Sequence, residues 1–331
     1  MAEYSQGTRD AERAIMDPRR FLFTAFDVVS AVVLGIAAMA SGVASQEVEV
    51  ATTVAFTEGP TVDRAGNVYF TDLTSERILL LDTSGRLSTF RESSNRANGL
   101  LVDPEGRLVA AEGGSRAAGS PPPRVTRTDL ATGRLEVLAD SWRGQPLSAP
   151  NDVTLDSRGR IYFTDLSGGA VYRVDAPGTV ERILAAPDVQ RPNGIQVSPD
   201  DRTLYLIEAN QAAGGARLIR AYDLLPEGTV RTMRVHYDFY PGRSGDGMSI
   251  DVEGNLYVSA GLNAPRGTSE TLDTRAGVHV ISPAGRLLRH IPIPEDIITN
   301  NGFGGPDMKT LYVTAGKTLF RVRVEVEGLP R

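Results

Sequence analysis

The stretch "APNDVTLDSRGRIYFTDL", residues 149–166, reads as two apolar runs folded back on each other about a tight turn at Asp156-Ser157-Arg158-Gly159. Asp and Ser bond their own backbone in turns and Gly takes the backbone angles others resist, so the hairpin itself is ordinary. Its opening is not. Pro150-Asn151-Asp152 begins a strand with residue types that strands avoid.

The hairpin recurs. It returns as "EGPTVDRAGNVYFTD" from Glu58, "NGLLVDPEGRLVAAE" from Asn98, "NGIQVSPDDRTLYLIE" from Asn193, "DGMSIDVEGNLYVSA" from Asp246 and "NNGFGGPDMKTLYVTA" from Asn300. Strand-turn-strand units repeating on the order of every 40–50 residues are the signature of propeller blades. Between them lie further alternating segments, at 77–90, 123–139, 171–184, 218–235 and 278–291. The sixth unit has only "TLFRVRVEV" (318–326) after it, so "EVEVATTVAF" (47–56) is expected to close the ring. The predicted fold is all-β: a six-bladed β-propeller with a central metal site, one domain over residues 46–331. Residues 113–123 and 262–277, rich in Gly, Pro and polar side chains, are predicted loops.

Composition narrows the function. The 331 residues carry a net charge of −6, which offers no basic footprint, so nucleic acid is not an expected partner. With no cysteine, disulfides, thiolate zinc sites and cysteine nucleophiles are excluded. Residues 1–45 differ from the rest: Arg19-Arg20 precede the apolar run "FLFTAFDVVSAVVLGIAAMASGVAS", which closes on small residues. That order is a secretory signal, loosely of the twin-arginine kind, with Met16 an alternative start. It predicts a periplasmic or secreted protein without stable membrane association once cleaved. The competing reading is an uncleaved membrane anchor, because ~20 apolar residues span a bilayer.

In a propeller, equivalent positions of each blade surround the axis. The six hairpin openers, Glu58, Asn98, Asn151, Asn193, Asp246 and Asn300, all offer a side-chain oxygen. Two carboxylates and several amides make a hard, oxygen-only site, suited to Ca²⁺ rather than zinc. The turns "DRAGN", "DPEGR", "DSRGR" and "DVEGN" lack the alternating acids and distal Glu of calcium loops and are read as hairpin turns. His236, His279 and His290 fall in outer strands and are read as structural. "GRSGDG" (242–247) lacks the full Gly-x-Ser-x-Gly pattern of a serine hydrolase. Asp72, Glu112, Asp165 and Glu208 share a second register and are expected to cap turns at the opposite end from the openers.

From about Phe56 to Leu319 these motifs together resemble the gluconolactonase / senescence-marker-protein (regucalcin) / luciferin-regenerating-enzyme family of six-bladed, calcium-dependent propellers. The resemblance implies a central metal held by Glu58, Asn151, Asn193 and Asp246, with Asn98 and Asn300 left to face the substrate. The chain departs from the pattern at Ala149, where animal members carry an arginine, and at Glu112-Gly113-Gly114, where many bacterial members carry a histidine. Both departures touch substrate binding rather than the metal.

The leading expectation is a calcium-dependent hydrolase of sugar lactones. Asp246 would activate water or attack directly, and Asn151 and Asn193 would orient the carbonyl, so Asn98, Asn151 and Asn300 are the substrate-binding candidates. A small-molecule lactone or ester is the expected partner. The alternatives are an organophosphate or other ester hydrolase on the same site, and a non-catalytic exported binding propeller.

Overall fold

The computed structural model describes residues 47–330, so the predicted signal lies outside the described residues. These contain no helix, and six four-stranded antiparallel sheets follow one another along the chain. Blade 1 runs inside to outside as Thr57–Val62, Val68–Asp72, Arg77–Leu81 and Leu87–Arg91. The next four inner strands are Ala97–Val102, Pro150–Leu155, Pro192–Val197 and Gly245–Ile250, each leading its own meander. A two-stranded ribbon, Ser141–Trp142 with Gln145–Pro146, is an addition the repeat pattern did not signal.

Blade 6 comprises Ile298–Gly304, Thr310–Ala315 and Thr318–Arg323, and its outermost strand comes from the other end of the chain. Val48–Thr53 pairs antiparallel with Thr318–Arg323, Val48 opposite Val322 and Thr53 opposite Thr318. The expected ring closure is what the structure shows.

The burial gradient explains the hydrophobic pattern. Second strands such as Val68–Asp72 and Ile161–Asp165 are buried at every residue, because both faces pack on neighbouring blades, and they read as continuous apolar runs. Fourth strands such as Thr179–Ala185 are largely exposed on one face, and they alternate. Six hydrophobic clusters fill the blade interfaces. Tyr69 and Ile78 of blade 1 meet Leu100 and Leu108 of blade 2, and Val68 and Phe70 meet Leu319 of blade 6.

The turn motif is a small machine of its own. Asp156 Oδ1 accepts the backbone N–H groups of Arg158 and Arg160, and Oδ2 accepts from Arg160 Nε and the Tyr162 hydroxyl. Asp103 and Asp251 repeat the pattern with Arg107 and Asn255. These acids are spent on the turns. At that end of the ring the segment 327–329 crosses the central channel, with Leu329 N–H donating to Ile250 O and Gly328 N–H to Met308 O.

Candidate active site

Each inner strand begins with an irregularity. Pro150 pairs with Asp165 and Val153 with Phe163, so Asn151 and Asp152 together face a single partner residue. The same bulge holds Asn98-Gly99, Asn193-Gly194 and Asp246-Gly247, while in blade 1 Glu58 pairs with Thr71 and the irregularity follows it at Gly59-Pro60. An extra residue bends the strand and re-aims its side chain. The opener therefore points out of the sheet toward the axis.

Five of the six expected openers, Glu58, Asn98, Asn151, Asn193 and Asp246, line one pocket of about 160 Å³ at the end of the ring away from the turns. Asn300 does not. In blade 6 Ile298 pairs with Ala315 and Asn300 with Thr314, which puts Thr299 in the opener's register and Asn300 one residue deeper. The expectation that Asn300 shares the ring of openers is thus corrected. Its true counterpart is Asp152, to which its Nδ2 donates across the channel at 3.3 Å. Both line a lower chamber of about 110 Å³ whose far wall includes Phe303 and Leu329.

The acids of the second register stand at the same end as the openers, not the opposite one, because Thr57 pairs with Asp72, Ala97 with Glu112, Pro150 with Asp165 and Pro192 with Glu208. They brace the entry to the inner strands. Asp72 accepts Phe56 N–H, Asp165 those of Ser148 and Ala149, and Glu208 those of Gln190 and Arg191. Ala149, at a position of family departure, uses its backbone here.

Within the pocket Asp246 has two close partners. Asn193 Nδ2 donates to Oδ1 at 2.7 Å and Arg243 Nη2 donates to Oδ2. Arg243 is only 4 % exposed and its Nη1 donates to Ile298 O at 2.9 Å. Burial still pushes the Asp246 carboxyl above its usual range, against the pull of Arg243 and Asn193. Glu58 is 6 % exposed and forms no ion pair among the described residues. Burial and then the charges of Asp246 and Asp152 drive its carboxyl well above the usual range. Asp152 is pushed up to about 7, chiefly by burial. The side chains of Asn98 and Asn151 make no hydrogen bond among the described residues.

Several lining residues were not foreseen. Arg243 lies in "GRSGDG", which the sequence offered only as a weak serine motif. Arg191 comes from the loop between blades 3 and 4, and Gln211, Arg266 and Glu270 from loops joining the second and third strands of blades 4 and 5, where no repeat register marks a position. Among the described residues no three His, Cys, Asp or Glu side chains gather as metal ligands. Any cation here would rest on amide as well as carboxylate oxygen. His236, His279 and His290 lie in the outer strands Val230–Asp238, Gly277–Ile281 and Leu287–Pro292, away from the pocket.

Comparison with known proteins agrees with this architecture. Gluconolactonase of Zymomonas mobilis is 27 % identical over 317 residues, covering 84 % of this chain and 81 % of the relative. A solved gluconolactonase of Xanthomonas campestris superposes with a TM-score of 0.69 at 26 % identity, covering 85 % of this chain and 90 % of that one. A structure of regucalcin from Agrobacterium tumefaciens, described as a calcium-binding protein, shares the fold at TM-score 0.67 and 21 % identity, over 86 % and 95 % of the two chains. Residues 56–317 match the SMP-30/Gluconolactonase/LRE-like region, and the chain belongs to that family.

Proposed function

We propose that the protein is an exported, calcium-dependent lactonase acting on sugar lactones. The observation that carries this reading is the convergence of a buried carboxylate, Glu58, and a half-buried one, Asp246, with the amides of Asn98, Asn151 and Asn193 in one pocket. Like charges crowded together, with only Arg243 in direct ion pair among them, favour an added cation. The donors are all oxygen, and Asn193 keeps its carbonyl oxygen free because the bond to Asp246 uses its nitrogen. This set fits a hard divalent ion. Glu58, Asn151, Asn193 and Asp246 would hold it. Bound there, Ca²⁺ supplies a Lewis acid for the ester carbonyl and charge to offset the tetrahedral oxyanion.

The chain's own residues do the rest. Asn98 and Asn151, whose amides make no hydrogen bond among the described residues, are available to orient the lactone. Asp246 has both oxygens engaged, yet each carboxylate oxygen keeps a further lone pair for a water proton. Arg243 holds that carboxylate in place and pulls against burial in favour of its charged form. The names of the relatives support lactone hydrolysis, and the apolar N-terminal run supports export.

The test is hydrolysis of a lactone panel by the purified protein with calcium and with chelator, beside Asp246→Asn. Hydrolysis should require calcium, and Asp246→Asn should lose about 10²-fold or more in kcat even at saturating calcium. Near-full recovery of the variant at high calcium would make Asp246 a ligand only. Activity on phosphotriesters alone would favour the organophosphate reading, and inactivity on every ester the binding-propeller reading.

A further inference from the structure

Three arginines line the pocket, and they are not alike. Arg243 is buried and spent on Asp246 and Ile298 O. Arg191 is half-buried and Arg266 exposed, and neither makes an ion pair or a side-chain hydrogen bond among the described residues. At the same end of the ring, Arg77 meets Asp72, Arg91 and Arg124 meet Glu112, and Arg220 meets Glu208. Two guanidinium groups facing one small pocket with no ion pair of their own among the described residues, only the longer-range attraction of Asp246, are the exception.

Both stand on fixed backbone. Arg191 N–H donates to Glu208 Oε2 at 2.8 Å and its carbonyl accepts from Ala209. Arg266 lies between two anchors of its loop. On one side the N–H groups of Asn263 and Ala264 donate to Asp296. On the other, Ser269 O accepts from Arg217, a side chain only 1 % exposed that has no carboxylate partner and is caged by carbonyl oxygens of Asn210, Gln211, Ala212 and Pro241. Arg217 therefore ties the 210–212 loop to the loop that presents Arg266. Such anchoring fixes the backbone that presents each arginine, so that binding need order the side chain but not the loop.

We propose that Arg191 and Arg266 form an anion subsite at the mouth of the pocket, so that the preferred substrate is a lactone carrying a second, negatively charged group such as phosphate or carboxylate. Planar guanidinium forks match such oxyanions in pairs of charge-assisted hydrogen bonds. The substrate class rests on the lactonase reading; the anion subsite itself does not.

The experiment compares kcat/KM of the calcium-loaded full chain for glucono-δ-lactone, its 6-phosphate and glucaro-1,4-lactone. At least one anionic lactone should exceed the neutral one by about tenfold or more, with an advantage that shrinks as salt is added. Arg191→Gln and Arg266→Gln should each cut that ratio by about tenfold, mainly through KM, and Arg→Lys at either site should restore part of it. No anionic preference, or a preference that survives both Gln substitutions, overturns the subsite. Calorimetry with 6-phosphogluconate against gluconate reads the subsite without turnover. Tighter binding of the phosphate, weakened in both Gln variants, supports it even if no lactone is hydrolysed, an outcome that would sink the lactonase reading instead. Equal binding of the two acids overturns it.

Discussion

Glycine follows the opener in blades 1, 2, 4 and 5, and the reason is the neighbouring blade. A Cβ on Gly59 would stand 2.2 Å from Asn98 O and 2.7 Å from the Gly99 Cα, and one on Gly99 would stand 2.8 Å from Asn151 O. The inner strands approach at these bulges too closely for any side chain. Gly59 also has φ of +44°, a region that resists a Cβ. Gly59→Ala should therefore destabilise the fold by about 3 kcal/mol or more, read as a lowered urea midpoint. A cost below about 1 kcal/mol would mean that the blades can part without loss. In blades 3 and 6 the same position holds Asp152 and Asn300, whose side chains fill the axis that the four glycines leave open. Asn-Gly and Asp-Gly look like turn dipeptides in the sequence, and only their shared register singled them out. At blade 6 the register itself was ambiguous. Two adjacent asparagines drew the eye to Asn300, while the true opener, Thr299, has its hydroxyl bound to Thr57 O and Thr314 and offers no conspicuous ligand.

At the scale of strands, the outer pair of blade 5 sets His279 directly opposite His290, with rings 4.9 Å apart. His279 Nε2–H donates to Arg275 O at 2.9 Å, while its Nδ1 is buried without a partner among the described residues. Burial holds its pKa down at about 4, against 6.5 for an ordinary histidine. The folded chain thus refuses a proton that the unfolded chain takes up between pH 6.5 and 4, so this residue's contribution to stability rises with pH across that window and is lost on acidification. His279→Gln should cost more stability at pH 7 than at pH 4.5, measured by urea unfolding at both. An equal cost at the two pH values would show that the neutral ring is not what the strands select. The strands themselves were legible because apolar periodicity agrees with a tight turn in each repeat, Asp-x-x-Gly in four of them, Ser198-Pro199-Asp200-Asp201 in blade 4 and Gly305-Pro306-Asp307-Met308 in blade 6. The loop that carries Arg266 was legible as well, within 262–277, but the short ribbon at Ser141–Trp142 was not, since it does not follow the blade pattern.

For the whole molecule, the ring supplies the scaffold and the irregular segments supply the chemistry. Six repeats fixed by packing could be counted from sequence, and so could five of the residues in the pocket. The arginines could not, because a charged residue in a loop carries no register and its partner, or lack of one, is a property of the closed ring. Export belongs to this scale as well. The first strand begins at Val48, so cleavage near Ser45–Glu47 would leave every blade intact. N-terminal sequencing of the native protein should find a start there, in the periplasm or medium; an intact Met1 or Met16 in the membrane fraction would favour the anchor.

The pairing of Val48–Thr53 with Thr318–Arg323 also sets the order in which the protein can be finished. Strands of blades 1 to 5 can zip up locally as they emerge, each from a single stretch of chain. Blade 6 cannot, because its outermost strand is made first and its partner last. Bringing the two together carries the entropy of closing a loop of nearly the whole ring, a cost that non-local contacts must repay late. Until synthesis or translocation delivers residue 323, the early strand waits unpaired and the apolar flank of blade 1 that meets Leu319 stays uncovered. A chain interrupted shortly before that point would hold most of its blades and still present an open edge, the kind of surface that chaperones recognise and neighbouring chains aggregate on.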